Sequence, residues 1–391
     1  MDLLTLVSEK GEITTQPVLW HDRIHKPVSL LTSRQIFAAV HVVPKVQADN
    51  SPGRAADIDW DSTLKFRHHI WSWGLGVADA MDTAQRNMGL DSLATRELIR
   101  RSAEEAKSVG APLVVGVNTD HILEESISLA AVIDAYVEQL EQAQEQGVGV
   151  VLMASRHLAR AASSSDDYER VYQAVLERAT KPVILHWLGA AFDPNLSNYF
   201  GSNNSATASI TLLRIIQSNE KSIAGIKMSL LDENAEVELR AQLPSRVRML
   251  TGDDLNYVDL IAGDGEHHSD ALLGAFAAIG PLASSAIQEL DAGNEFNYRK
   301  ILEPTQALSR HIFEAPTWFY KSGIAFLSWL NGHQVGFVMV GGLQAARSLP
   351  HLSKLVELAN LCGALEQPDL AIERWNRLLA VYGISPKRSK V

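Results

Sequence analysis

The stretch Ser222-Ile-Ala-Gly-Ile-Lys-Met-Ser-Leu-Leu231 is typical of a β-strand that is buried on both faces, because its apolar side chains follow one another without alternation. Lys227 interrupts this run, and lysine is almost never fully buried without a partner or a task. Two interpretations fit. Either Lys227 is a nucleophilic amine whose pKa is lowered by a dry surrounding, or it lies near the end of the strand and its ammonium group reaches solvent or a carboxylate.

Seven further apolar runs share this character and alternate with longer amphipathic stretches from about residue 36 onward. Alternating strands and helices predict a parallel sheet with helical crossovers, and eight strands predict a closed (β/α)8 TIM barrel. Glycine follows three of the helical patterns, at Gly74, Gly110 and Gly147, where a C-terminal cap is expected. The predicted strands cover residues 36–43, 77–81, 112–117, 149–153, 182–187, 223–228, 247–251 and 271–275.

The sequence on either side of the predicted barrel has a different pattern. Residues 1–35 contain short alternating stretches that predict an N-terminal extension, with a hairpin that closes the bottom of the barrel. Residues 36–285 are predicted to form the catalytic barrel. Residues 286–391 are predominantly helical in pattern and predict a C-terminal helical bundle, with a frayed tail at 386–391.

Composition narrows the class of function. The chain has 391 residues, 46% of them hydrophobic, and a formal net charge of -11 without a dominant basic patch. Nucleic acid and anionic membrane surfaces are therefore poor candidates for the main partner, and a small-molecule substrate is favoured. The single cysteine, Cys362, excludes an intramolecular disulfide and any multi-cysteine metal site. With no signal-peptide pattern and no apolar run of about 18 residues, a cytoplasmic protein is expected.

Polar and ionisable residues follow most of the predicted strands. In a TIM barrel the carboxyl ends of the strands meet at one mouth, where catalytic groups lie. So many ionisable groups at one mouth are hard to explain by folding alone, because each must be solvated or paired. The candidates are His41, Asp79, Asp82, Thr83, Asn118, Asp120, His121, Arg156, His186, Lys227, Ser229, Gly252, Asp253 and Asp254, with Glu266 and His267 just before the eighth strand.

Three blocks of sequence occur in a characteristic order and spacing: Ala224-Gly-Ile-Lys227, Leu250-Thr-Gly-Asp-Asp254 and Ala271-Leu-Leu-Gly-Ala-Phe-Ala-Ala-Ile-Gly-Pro281. They resemble the corresponding blocks of the dihydrodipicolinate synthase and N-acetylneuraminate lyase family. Val183-Ile-Leu-His-Trp187 and residues 74–83 also match that family. The resemblance implies that Lys227 forms a Schiff base with a 2-keto acid, that no cofactor is needed, and that the protein is a homodimer or homotetramer. Lys321 resembles a lysine that opens a C-terminal helix there and is interpreted as structural.

The departures from the family pattern indicate a divergent branch. His186 stands where the family has a tyrosine that relays protons, and the family's threonine pair is reduced to Thr83-Ala84. The loop at residues 85–92 is enlarged, and residues 263–270 form an insertion before the eighth strand. The substrate of the parent enzymes therefore does not transfer to this chain.

These residues lead to a hypothesis of a Schiff-base lyase or aldolase acting on a small keto acid or oxidised sugar derivative. Lys227 condenses with the ketone and His186 transfers protons, because imidazole titrates near neutral pH. Alternatively, His186 is simply satisfied by a backbone carbonyl, and the other candidates cap helices or lie at the surface. The predicted substrate-binding residues are Asp82, Thr83, Asn118, Arg156, Ser229, Gly252 and Asp253.

Two other functions use the same barrel. A divalent-metal-dependent lyase or isomerase acting on a sugar-like substrate would gather nitrogen and oxygen ligands from several strand ends, although no closely spaced ligand motif is present. Its candidate ligands are His41, Asp120 or Asp79, His186, Glu266 and His267. A non-catalytic protein that binds a sugar or keto acid is the second alternative, but it does not explain a lysine on a buried strand.

Overall fold

A computed structural model of the protein describes residues 3–386, so most of the predicted frayed tail lies outside the described residues. Its centre is a closed barrel of eight parallel strands, which confirms the predicted TIM barrel. Neighbouring strands pair in sequence order, and the last pairs with the first to close the barrel. The barrel strands are β3 (Ile36–Ala39), β4 (Gly76–Asp79), β5 (Leu113–Val117), β6 (Gly149–Leu152), β7 (Val183–Leu188), β8 (Ile223–Ser229), β9 (Arg248–Thr251) and β10 (Asp270–Leu273).

Helices connect the strands and cover the outside of the barrel. Several begin at a side-chain cap: Asp59 accepts a hydrogen bond from the Ser62 amide, and Asp91 accepts one from the Ala94 amide. Gly110 ends α2 in the left-handed region at φ +64°, as its position in the sequence predicts. The barrel helices are α1 (Trp60–Ser72), α2 (Ser92–Val109), α3 (Leu129–Glu145), α4 (Arg156–Ala161), α5 (Ser165–Leu176), α6 (Ser205–Ser218), α7 (Glu233–Arg240), α8 (Tyr257–Ala262), α9 (Ala275–Ala278) and α10 (Gly280–Asp291).

The barrel interior is packed with apolar side chains rather than open. A separate buried cluster fills it and draws side chains from seven of the eight strands or the residues directly after them. Such layers of side chains make the barrel centre a core and leave chemistry to the carboxyl ends of the strands. The cluster consists of Phe37, Ala39, Ala78, Met81, Val114, Val151, Met153, Ile184, Leu250 and Leu272.

Four helices form the C-terminal region: α11 (Glu295–Ile312), α12 (Tyr320–Leu330), α13 (Leu349–Cys362) and α14 (Pro368–Val381). The predicted boundary at residue 285 falls inside α10, which follows the last barrel strand as its helix. Within residues 3–386, none of the helices is both long and apolar enough to cross a membrane.

The N-terminal hairpin exists but does not close the bottom of the barrel as predicted. Its strands, β1 (Leu3–Val7) and β2 (Ile13–Pro17), pair antiparallel. The Val7 amide donates to Ser353 Oγ of α13 at 2.7 Å, and Trp375 Nε1 of α14 donates to the Thr5 carbonyl at 2.7 Å. The hairpin therefore packs on the C-terminal helices, and its alternating pattern gave no indication of which surface it would cover.

Candidate active site

Lys227 lies on β8, the sixth strand of the barrel, beside His186 of β7 in the strand register. Only 7% of the residue is exposed. Burial lowers the pKa of the Lys227 amine, and the negative charges of Asp82 and Asp254 partly oppose this effect. Within residues 3–386, its ammonium nitrogen has no hydrogen-bond or ion-pair partner at normal distance. The amine is thus buried, and burial favours its uncharged form.

Gly252 is required by the closeness of the backbone to Lys227. Its amide donates to the Met228 carbonyl at 2.8 Å, which holds the end of β9 against β8. A Cβ atom at position 252 would lie 2.1 Å from Ser229 Oγ and 3.0 Å from Lys227 Cε. Any larger residue would clash with Ser229 Oγ and crowd the Lys227 side chain, so the predicted binding residue Gly252 shapes the space around the amine.

Asp254, like Asp82, acts electrostatically on Lys227, although Asp253 was the residue predicted to bind substrate. Burial raises the pKa of Asp254 to about 7, against the opposing effect of a hydrogen bond from the Ala275 amide at 2.7 Å and the charge of Lys227. Burial moves the carboxyl and the amine toward their neutral forms. The burial of this pair therefore favours an uncharged amine and a protonated carboxyl over two separate charges.

Asp253 has a different role from the one predicted. Its Oδ1 accepts hydrogen bonds from the amides of Leu255 at 2.8 Å and Asn256 at 3.1 Å. This is the capping alternative: the carboxylate satisfies the backbone of its own turn instead of facing Lys227. The two adjacent aspartates could not be told apart by sequence, because only the turn geometry decides which one points inward.

His186 is completely buried beside Lys227. Its Nε2 lies 3.2 Å from Ser229 Oγ, and Nδ1 has no partner within residues 3–386. Burial, reinforced by the nearby lysine, lowers the pKa of His186 well below its usual range, so the ring is neutral at neutral pH. A neutral imidazole with an unpaired buried nitrogen can accept a hydrogen bond and relay a proton, but its lowered pKa disfavours the imidazolium form.

The start of α12 covers the barrel mouth, which the sequence did not predict. Tyr320 Oη and Thr83 Oγ1 are 2.8 Å apart, and the Tyr320 ring stacks on Phe313 at a centroid distance of 4.4 Å. Phe192 contacts the same ring edge-on at 5.9 Å. Asp82 precedes Thr83 and acts electrostatically on both Lys227 and Tyr320.

Lys321, interpreted from sequence as structural, belongs to the surroundings of the site. It is buried, and its Nζ donates to the Trp318 carbonyl at 3.1 Å. Burial lowers the pKa of Lys321 to about 8, partly opposed by Asp82 and Asp193, and the charge of Lys227 lowers it further. The mouth therefore contains two buried amines. The position of Lys321 at the start of a helix was visible in the sequence, but the place of that helix over the barrel was not.

The remaining predicted binding residues are held by their neighbours. Arg156 Nε donates to Asp193 Oδ2 at 2.5 Å, so one edge of its guanidinium is occupied while the side chain stays partly exposed. The buried Asn118 accepts the Thr119 amide at 2.7 Å. Arg156 acts on Lys321 electrostatically and so lies near the mouth, whereas Asn118 shapes the end of its own strand.

The predicted metal ligands are not brought together, and this prediction is wrong. His41 Nε2 faces Gln334 Oε1 at 2.8 Å, and Asp120 is bound by Arg86. Glu266 and His267 are exposed in the loop between α8 and β10. That loop leads into a strand, so it lies at the amino ends of the strands, opposite the mouth. Asp79 is occupied by Arg67, and His186 remains alone beside Lys227.

A cavity of about 740 Å³ lies outside the barrel. Its lining includes Trp73, residues 19–26, the beginning of α10 and Glu366, and does not include Lys227. This cavity and the groups at the barrel mouth are therefore separate features of the molecule.

A family model described as "Protein of unknown function (DUF993)" matches residues 4–384. The chain belongs to this family. A search of curated proteins found no match.

Solved structures of the dihydrodipicolinate synthase type share the fold. Dihydrodipicolinate synthase DapA-2 from Bacillus anthracis is 17% identical with a TM-score of 0.62, over 84% of this chain and 98% of that chain. The Thermotoga maritima dihydrodipicolinate synthase is 15% identical with a TM-score of 0.61, over 86% of this chain and 99% of that chain. PhdJ bound to a substrate intermediate is 12% identical with a TM-score of 0.65, over 87% of this chain and 99% of that chain. The resemblance stated from sequence is confirmed for the fold.

Proposed function

We propose that this protein is a cytoplasmic, homo-oligomeric Schiff-base lyase or aldolase that acts on a small keto acid or oxidised sugar derivative. The observation that carries the proposal is the buried amine of Lys227, whose pKa is lowered by burial and which has no ion-pair partner at normal distance among residues 3–386. A lysine in such a surrounding is an effective nucleophile toward a carbonyl carbon. The structures with the same fold, including one with a bound substrate intermediate, support the proposal as analogues.

The chemistry balances without an external cofactor. The neutral Lys227 amine adds to the substrate ketone and forms a carbinolamine. Loss of water then gives a protonated imine. Cleavage of the adjacent carbon–carbon bond sends its electron pair into the imine to form an enamine, and the other fragment leaves as a carbonyl compound. Protonation of the enamine carbon and addition of water release the second product and restore the amine.

Each proton transfer needs a group near Lys227. Asp254, with a pKa of about 7, can protonate the leaving hydroxyl of the carbinolamine. His186, neutral and with a free buried nitrogen, can accept a proton from the substrate. The Thr83 and Tyr320 hydroxyls form a pair that can hydrogen-bond substrate oxygens. Lys321 and Arg156 supply positive charge for a substrate carboxylate.

Borohydride trapping tests the proposal. The protein is incubated with pyruvate, 2-oxoglutarate and 2-keto-3-deoxysugar acids, reduced, digested and mapped by mass spectrometry. We expect an adduct on the peptide that contains Lys227. Lys227→Arg keeps the positive charge but should give no adduct. Lys321→Arg, which removes the second primary amine but keeps its positive charge for the substrate carboxylate, should still give the adduct.

Two results would contradict the covalent mechanism. One is an adduct that maps to Lys321 and survives Lys227→Arg. The other is a keto acid that is turned over but leaves no adduct on Lys227. Tight binding without turnover that persists in Lys227→Arg would favour the non-catalytic binding protein instead.

A further inference from the structure

Three potential metal ligands converge outside the barrel. His69 lies in the last turn of α1, His333 in the turn after α12, and Glu366 just before α14. His333 Nε2 is 2.9 Å from Glu366 Oε1, and His69 Nε2 is 3.5 Å from the same oxygen. One ligand atom from each residue lies within 4.8 Å of the others. His69 lies far from the other two residues in the chain, and His333 and Glu366 are 33 positions apart, yet all three present nitrogen or oxygen atoms to one point.

The spacing fits a tetrahedral ion. Bonds of about 2.0–2.1 Å from zinc to histidine nitrogen and carboxylate oxygen place neighbouring ligand atoms roughly 3.3 Å apart in a tetrahedron. The two nitrogen–oxygen distances here, 2.9 and 3.5 Å, lie on either side of that value. These two distances are therefore compatible with a tetrahedral ion bound at this point.

We propose that His69, His333 and Glu366 form a binding site for a divalent transition-metal ion, with Zn²⁺ the best match to two imidazoles and one carboxylate. The bound ion connects α1 of the barrel to the C-terminal helices. This site is distinct from the barrel mouth and does not depend on the proposed function of Lys227.

The residues around the site hold two of the ligands in place. Asn331 is buried, its Oδ1 accepts the Glu366 amide at 3.0 Å, and its Nδ2 donates to the Ala364 carbonyl at 2.9 Å. The His333 amide donates to the Ser328 carbonyl at 3.0 Å, which fixes the turn. Asn331 therefore locks the Glu366 segment to the turn that carries His333, as supporting residues do around metal ligands.

The site has an open side. The side chains of His69, His333 and Glu366 are 19%, 15% and 23% exposed, so an ion can enter from solvent. Glu366 also lines the cavity of about 740 Å³. Three protein ligands leave the fourth position of a tetrahedral ion for water or for a small molecule bound there.

A second cluster, formed by His311, Glu314 and His351, is less suited to a metal. There Nδ1 of each histidine faces Glu314, at 3.1 Å from His311 and 2.7 Å from His351. His351 Nε2 is buried without a partner within residues 3–386. Metal binding at Nδ1 would place a hydrogen on that nitrogen and leave a buried donor unsatisfied, which is unfavourable.

The test uses the full-length protein freed of metal with a chelator and titrated with Zn²⁺ against a chromophoric competitor. We expect one Zn²⁺ per chain and a rise in melting temperature on saturation. His69→Ala and His333→Ala should each weaken binding by about 100-fold or more, and Asn331→Ala by about 10–100-fold. Two controls should bind like the wild type: His68→Ala, on the same helix and paired with Glu105 at 2.8 Å, and His311→Ala in the second cluster.

Three outcomes would overturn the site. The first is less than one equivalent of Zn²⁺ bound at micromolar protein concentration. The second is unchanged affinity in both His69→Ala and His333→Ala. The third is loss of binding in His311→Ala instead. Circular dichroism of each variant separates loss of the site from loss of the fold. Glu366→Gln, which keeps the side-chain size but removes the carboxylate, should also weaken Zn²⁺ binding and tests the third ligand.

Discussion

Two groups of buried charges around the barrel differ in whether they have an ion-pair partner. Beside β4, Arg67 donates to both carboxylate oxygens of Asp79, at 2.9 and 2.8 Å, and beside β5, Arg86 does the same for Asp120. On the opposite side, beside β8 and β9, Lys227, Glu236 and Asp254 are also buried. None of these three has an ion-pair partner within 4 Å in the described part of the chain.

The difference separates structural charges from those available for chemistry. A buried pair with complete hydrogen bonding holds its two charges fixed, and removing one partner leaves an uncompensated charge. Buried groups without an opposite charge in contact have shifted pKa values, because no partner offsets the free-energy cost of desolvating their charged form. Such groups reduce stability and are characteristic of functional sites. In the proposed mechanism, Lys227 and Asp254 beside β8 and β9 are the groups that react.

The largest effect expected from this comparison is on stability. Arg67→Met should lower the free energy of unfolding by about 3–5 kcal/mol, because Asp79 would remain buried and charged without its partner. Lys227→Met should leave stability within about 1 kcal/mol of the wild type or raise it, since no ion pair is lost. Urea unfolding at pH 7 measures both variants.

A double variant checks the cause. Arg67→Met combined with Asp79→Leu should recover most of the stability lost by Arg67→Met alone, because the uncompensated charge is removed as well. Equal destabilisation by Arg67→Met and Lys227→Met would contradict the distinction between the two sides.

Asp254→Asn should lower kcat/KM by about 100-fold, because the amide cannot donate a proton during imine formation. In the wild type, activity should rise with pH as the Lys227 amine loses its proton, and fall above about pH 7 as Asp254 ionises. The variant should lack the fall at high pH. Steady-state kinetics between pH 5 and 9 with a substrate found by trapping provides the measurement.

Asp253→Asn is the matched control, since Asp253 is adjacent in sequence but bonds its own turn. Its kcat/KM should remain within about 3-fold of the wild type, because its carboxylate does not face the amine. A larger loss in Asp253→Asn than in Asp254→Asn would show that the wrong aspartate has been assigned to the site.

The barrel and Lys227 could be predicted from sequence because both depend on local patterns: consecutive apolar residues mark buried strands, and a lysine among them is anomalous. Glu266 was misplaced because the loops before and after a strand lie at opposite ends of the barrel. Tyr320 was missed for another reason. It approaches Thr83 only because α12 packs over the mouth, and contacts between residues 237 positions apart leave no periodic signal in the sequence.

Glu236 is the third buried group beside β8 and β9; it accepts hydrogen bonds from Thr251 at 2.9 Å and Ser269 at 2.7 Å and has no ion pair within residues 3–386. Burial raises the pKa of Glu236 from about 4.5 to about 8, although both hydroxyl groups oppose the change. The native state therefore keeps a proton that the unfolded state loses near pH 4.5. The contribution of Glu236 to stability is fully present below that pH and is lost as pH rises through 8, at up to about 1.4 kcal/mol per pH unit.

Glu236→Gln should remove this dependence of stability on pH, because the amide oxygen still accepts a hydrogen bond and the side chain cannot ionise. Urea unfolding at pH 5, 7 and 9 should show the variant close to the wild type at pH 5 and more stable than it at pH 9. Glu238→Gln, on the exposed face of the same helix, should follow the wild type at every pH. If the stability of Glu236→Gln fell with pH as steeply as that of the wild type, Glu236 would be ionised in the native state. The contrast between buried charges with and without an ion-pair partner would then be confined to Lys227 and Asp254.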